Sequence, residues 1–219
     1  MSTEQTLGDT VAANPAAAKV FQRHGLDYCC GGKQSLRQAC AAGHVDTEAV
    51  LREIAVAGAD AKDEARWAER PLAELIEHII DRYHAPLRTE LPRLLELARK
   101  VEQVHADKPD RPEGLAELLA DVRAAVESHL AKEEQILFPL VLSGRAQTAY
   151  MPVQVLTQEH EDHGQNLRRI RELTRDFELP EHACASWREL YGALARLEVD
   201  LMDHIHLENN ILFPRALAG

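Results

Sequence analysis

Two stretches of this 219-residue chain place a histidine and a glutamate four positions apart and then run into the same four residues. His129-x3-Glu133 leads into Ile136-Leu137-Phe138-Pro139, and 75 residues later His204-x3-Glu208 leads into Ile211-Leu212-Phe213-Pro214. The repeat extends backward, because His84 precedes His129 by 45 residues and His160 precedes His204 by 44. On a helix, residues four apart lie one turn apart on one face, so each His-x3-Glu aims an imidazole and a carboxylate at one point. A buried carboxylate without a counterion is costly, and these stripes offer no lysine or arginine. A metal is the natural counterion, and the alternative is a polar network in the core. Four imidazoles and two carboxylates exceed one tetrahedral zinc site. They suit two octahedral ions bridged by Glu133 and Glu208, with two histidines on each ion. Two positions per ion remain, for an oxo or hydroxo bridge and an exchangeable ligand. His44 with Glu48 has the same spacing but no repeat partner, and Thr47-Glu48 reads as a helix start.

Helices must carry these residues. Sparse aromatics, few β-branched runs and abundant Ala, Leu, Glu and Arg favour helix throughout, and the fold is expected to be all-α. From Pro71 onward four segments carry apolar residues at alternating spacings of three and four, the seam of a four-helix bundle. The first reads Ile80, His84, Leu87, Leu91, Leu94, Ala98, Val101, and the second Leu115, Leu119, Val122, Val126, His129, Glu133, Ile136, Leu140. The third reads Val153, Leu156, His160, His163, Leu167, Ile170, Thr174, Phe177, and the fourth Leu190, Leu194, Leu197, Leu201, His204, Glu208, Ile211. Pro86 and Pro92 each remove a backbone donor, so a kink just after His84 is expected.

Residues 1–65 are expected to form a small helical domain and residues 66–219 the bundle, joined through the polar stretch 57–70, with Trp67 packing the two together. In the small domain one helix is expected to start at Asn14-Pro15 and end before Gly25. A second is expected from the Ser35/Gln38 capping box to Gly43, and a third from Thr47. Cys29 and Cys30 lie at a turn before Gly31-Gly32, with Lys33 and Arg37 nearby to lower a thiol pKa.

Lys and Arg number 25 against 36 Asp and Glu, a net charge of −11 that repels phosphate backbones and anionic lipid, so neither nucleic acid nor membrane is an expected partner. No apolar run reaches the ~20 residues of a membrane span. The first residues do not read as a secretory signal and the four cysteines form no disulfide framework, which points to a reducing cytoplasm. Among the other histidines, His163 shares the stripe of His160 as a fifth ligand, an outer hydrogen-bond donor or a pocket-mouth residue. His78, His105, His182 and His206 read as solvated. Glu159 is either an exposed helix-face residue or a catalytic group lining an access path and relaying protons.

The doubled His-x3-Glu with Ile-Leu-Phe-Pro, after His84 and His160, resembles the hemerythrin-like domain. Asp27-Tyr28-Cys29-Cys30-Gly31-Gly32 resembles the small N-terminal domain of the "repair of iron centres" family of iron-sulfur cluster repair di-iron proteins. The resemblance spans nearly the whole chain. It implies two iron ions held by His84, His129, Glu133, His160, His204 and Glu208, and repair of clusters damaged by nitric oxide or peroxide. It makes damaged iron-sulfur proteins the partners and nitric oxide or oxygen the small ligands, and leaves monomer and dimer open. It also suggests Cys29 and Cys30 as a redox or transfer station, and nitric oxide reduction as an alternative to iron supply. The ligand set departs from that of oxygen-carrying hemerythrins, where five histidines and an aspartate are expected, which argues against reversible oxygen carriage as a third reading.

Overall fold

The computed structural model describes residues 2–60 and 67–218. Its described residues contain no β-strand, and the fold is all-α. Four short helices come first: α1 (Leu7–Ala13), α2 (Ala17–Arg23), α3 (Leu36–Gly43) and α4 (Thr47–Asp60). The Ser35/Gln38 capping box forms as its spacing predicts, and Gly25 takes the left-handed conformation that ends the turn after α2. Helix α1 is an addition to the expected set. Thr6 starts it by accepting from the Asp9 N–H at 3.1 Å, and Asn14 closes it instead of opening the next helix. Leu7, Val11, Phe21, Tyr28, Leu36, Cys40, Val50 and Ile54 bury one core among these four helices. The expected boundary near residue 65 lies outside the described residues.

The bundle consists of α5 (Leu72–Ile79) continuing into α6 (Ala85–Val104), α7 (Leu115–Lys132) continuing into α8 (Phe138–Leu142), α9 (Tyr150–Thr174), and α10 (Ala185–Leu207) continuing into α11 (Phe213–Ala218). Three of these four rods are interrupted by a single π-helical turn, at Ile80–His84, Glu133–Leu137 and Glu208–Leu212. In each the residue after the turn donates to the carbonyl five residues back: Ala85 to Ile80, Phe138 to Glu133, Phe213 to Glu208. A proline follows each, at Pro86, Pro139 and Pro214. In an α-helix the proline ring would meet the carbonyl four residues back, and the widened turn gives it room. The first helix therefore answers Pro86 with a π turn ahead of it, while Pro92 sits within α6.

The extra residue in a π turn rotates everything after it, which corrects the expected seam. Ile136 is 50% exposed, and Leu137 and Phe138 are buried in its place. At the far end of the third helix the seam stops at Thr174, where Arg175, Asp176 and Phe177 all take positive φ and Phe177 turns back onto Tyr191 at 6.3 Å between ring centroids.

Two hydrophobic clusters fill the bundle. One runs from Leu87, Val126 and Leu201 to the fully buried Trp187, and the other gathers Leu75, Ile79, Leu137, Phe138, Leu156, Leu212 and Phe213. His84, Glu133, His160, His204, Glu208 and His129 are all buried and occupy the layer between the clusters. Trp67 stacks on His78 at 4.2 Å and, with Val11, Ala12 and Pro15 of the small unit, lines a cavity of about 330 Å³ against the bundle.

Candidate metal centre

The six repeat-derived side chains meet at one point from all four rods. Their donor atoms sort into two groups, His84/His204/Glu133/Glu208 and His129/His160/Glu133/Glu208, each with every donor within 4.8 Å of the others. Both carboxylates therefore belong to both groups. Glu133 presents Oε2 to His84 Nε2 and Oε1 to His129 Nε2, both at 3.4 Å. Glu208 presents Oε1 to His204 Nε2 at 3.1 Å and Oε2 to His160 Nε2 at 3.2 Å. Each group thus takes one oxygen from each glutamate and one imidazole from each helical hairpin.

Within a group the two Nε2 atoms face each other, at 3.0 Å for His84 and His204 and 3.1 Å for His160 and His129. The outer nitrogens explain this arrangement. His84 Nδ1 lies 2.8 Å from Glu134 Oε1, His129 Nδ1 3.0 Å from Glu159 Oε2, and His160 Nδ1 2.8 Å from Asn209 Oδ1. These acceptors place the ring proton on Nδ1 and turn the Nε2 lone pair inward, the usual support for a metal-bound imidazole. Facing lone pairs beside carboxylate oxygens repel unless a cation lies among them. Glu133 Oε1 and Oε2 and Glu208 Oε2 are buried without a hydrogen-bond donor, so the donor set fits a cation. Donors bonded at about 2.0–2.2 Å stand about 3.0 Å apart when they meet at a right angle and about 3.4 Å apart in a tetrahedron. The observed spacings of 3.0 to 3.4 Å span both values, as donors gathered round one cation would.

With protons in place of metal, the electrostatics of the centre are strongly shifted. Burial lowers the His129 pKa, but the Glu133 and Glu208 charges outweigh it and raise it to about 9, and His84 is raised in the same way. Burial would raise Glu208, yet the neighbouring His204 and His160 hold it well below the ordinary carboxylate range. A His raised from 6.5 to about 9 stabilises the metal-free fold fully below about pH 6.5, and that contribution is lost as pH rises through 9. A cation must displace these protons. Loading at pH 7 is expected to release at least the His129 proton, read from calorimetry in buffers of different ionisation heats. Proton competition is expected to begin below about pH 9, not at the pH of about 6 that an ordinary histidine implies. Loading without proton release would contradict the protonated metal-free centre.

Sequence spacing missed the outer layer, although the repeat carried a signal for it. Glu134 and Asn209 each follow a shared glutamate by one position, and each holds the first histidine of its own hairpin. Glu159 and Tyr83 each precede that first histidine. Glu159 bonds His129 and pairs with Lys132, while Tyr83 stacks on His204 at 5.5 Å. Glu159 is thus more than an exposed helix-face residue.

Three further readings need correction. His206 and His105 are buried rather than solvated. His206 lies 5.7 Å from Tyr28 by ring centroids with Nδ1 3.1 Å from Asn210 Nδ2, and burial pushes its pKa down to about 4. His105 packs on Trp187, His78 stacks on Trp67, and His182 pairs with Asp110 at 3.2 Å. The Cys29 thiol is raised, not lowered. Its contact with Cys30, burial and the Asp27 carboxylate all disfavour the thiolate, while Arg37 pairs with Glu4.

The Cys29-Cys30 turn sits against the bundle. Asp27 Oδ1 accepts from the backbone N–H of both cysteines, at 3.1 and 3.0 Å, and the Cys30 thiol donates to the His160 carbonyl at 3.2 Å. The Tyr28 hydroxyl donates to Asp203 Oδ1 at 2.5 Å, and Asn210 Nδ2 donates to the Tyr28 carbonyl at 3.2 Å. Asp27, Cys29 and Cys30 form a third set of side chains close enough to hold a metal.

Among the described residues no helix is long and apolar enough to cross a membrane. The family model for the hemerythrin HHE cation binding domain matches residues 75–216. A second, ScdA_N, described as a domain of unknown function (DUF542), matches residues 3–57. The chain is 45% identical over 216 residues to proteins of Citrobacter koseri, Escherichia coli and Shigella boydii, each named iron-sulfur cluster repair protein YtfE, covering 99% of this chain and 98% of each relative. The chain therefore belongs to the YtfE family of iron-sulfur cluster repair proteins.

Proposed function

We propose that this protein holds two iron ions through His84, His129, Glu133, His160, His204 and Glu208 and supplies iron to damaged iron-sulfur proteins in the cytoplasm. The observation that carries this reading is the pair of four-donor groups sharing both glutamates. When bound, the ions supply Lewis-acid and redox chemistry with positions open to small ligands. The chain's own residues do the rest. Glu134, Glu159 and Asn209 fix the imidazoles, the two hydrophobic clusters exclude water from the ligand layer, and Arg88 and Lys132 hold Glu134 and Glu159 in turn. Residues 1–65 form the delivery domain and 66–219 the iron-holding domain.

Supply is favoured over nitric oxide reduction by the place of the cysteines. Cys30 touches the backbone of a ligand residue, and with Cys29 and Asp27 it forms a further set of donors beside the bundle. The test uses the full-length protein loaded with iron. A Cys29→Ala, Cys30→Ala variant is expected to keep both ions, because no proposed bundle ligand is altered, and to restore damaged clusters several-fold more slowly. Restoration at the unaltered rate would reject the transfer role. Sustained nitric oxide consumption with a reductant, without loss of iron to an apo-cluster protein, would favour the reductase reading.

A further inference from the structure

His163 is buried at 3% exposure, and neither ring nitrogen has a hydrogen-bond partner. It lies on α9 one turn beyond His160, and its ring meets that of His129 edge-on at 5.0 Å. A cavity of about 10 Å³ opens beside it, walled by Leu87, Val126, Leu197 and Leu201 among other aliphatic side chains. Leu87, Val126 and Leu201 each stand three residues from a proposed ligand, so the cavity sits in the bundle interior one turn from the ligand layer. Its volume is about that of one water-sized sphere. A water there would find only His163 and Asn166 as polar partners, the minimum a buried water needs, so a ligand anchored elsewhere can displace it.

A buried imidazole with two unpaired nitrogens weakens a core that leucine would fill, unless something arrives to pair with it. Building on the di-iron reading above, we propose that His163 donates a hydrogen bond to a small exogenous ligand of two or three atoms at the metal pair, and that this cavity receives the ligand's outer end. The apolar walls favour an uncharged diatomic, or a compact linear anion whose charge is met at the metal pair, and His163 selects one with an acceptor at its free end. His163 is then a residue that sets which small molecules the centre retains, separate from the six that hold the metal.

The test titrates azide, a three-atom anion, into the iron-loaded full-length protein and its His163→Gln and His163→Leu variants, following the azide-dependent visible absorption. All three proteins are expected to bind the same iron, since the six donors are unchanged. His163→Gln keeps an N–H donor and is expected to hold azide within about twofold of the unaltered protein. His163→Leu should weaken azide about tenfold, the scale of a hydrogen bond to a charged acceptor. The melting temperature of metal-free His163→Leu is expected to rise by a few degrees as the unpaired nitrogens disappear. Equal azide affinities with iron bound would overturn this role alone. So would a lower metal-free melting temperature in His163→Leu, or iron loss in both variants, which would make His163 a ligand. Absence of iron from the unaltered protein would instead overturn the reading on which the proposal rests.

Discussion

Replacing Glu133 and Glu208 together with alanine is expected to abolish iron binding while the helical circular-dichroism signal survives. Each carboxylate gives one oxygen to each four-donor group, so the double variant takes two of four protein donors from both ions at once. A histidine belongs to one group only. His84→Ala should weaken mainly the ion it shares with His204, and Glu133→Ala should weaken both. Outer-layer changes such as Glu134→Gln should cost less, about 10–100-fold in affinity, because they loosen a ligand without removing it. Iron measured per chain after gel filtration ranks the series. Retention of both ions by the double variant would refute the bridged centre.

The second large effect is expected at Gly32. A Cβ there would fall 2.6 Å from the Tyr28 carbonyl and 2.7 Å from Asn210 Oδ1, and the Tyr28 carbonyl is backbone that cannot swing away. Gly8 approaches the same Asn210 Oδ1, at 2.5 Å for its own Cβ, so the side chain of Asn210 is gripped between two glycines of the small unit. Gly32→Ala should cost about 1–3 kcal/mol of stability through overpacking. On a chain of this size that lowers the melting temperature by about 2–12 °C. Because Asn210 lies in the π turn that begins with Glu208, the same change should increase proteolysis within the small unit. An unchanged melting temperature would show that the two units do not depend on this contact.

The six central side chains were legible because a doubled motif is a stronger signal than any one spacing, and because buried carboxylates demand a counterion. Their sorting into groups was not. A repeat says that two halves are alike, but not that each donor group draws one histidine from each half. The outer positions were visible only in retrospect, since Glu134 and Asn209 differ in residue type although they do the same work. Helix α1 escaped because seven residues carry little periodicity and such short helices owe their existence to tertiary packing. His206 escaped for a related reason: what buries it is Tyr28, 178 positions earlier in the chain. Ile136 was misplaced because apolar spacing assumes an α-helical phase that the π turn breaks.

That break bears on how chain length can vary in relatives. A π turn holds one residue more than an α-helical turn closing the same stretch, so removing one residue from Glu133–Leu137 or Glu208–Leu212 restores ordinary winding and carries Phe138 or Phe213 around by about 100°. A sequence with a one-residue gap inside either interval should therefore have lost the widened turn along with the original facing of its Phe-Pro pair. The same gap placed beyond Pro139, in the loop after α8, would leave the shared glutamate and its winding untouched.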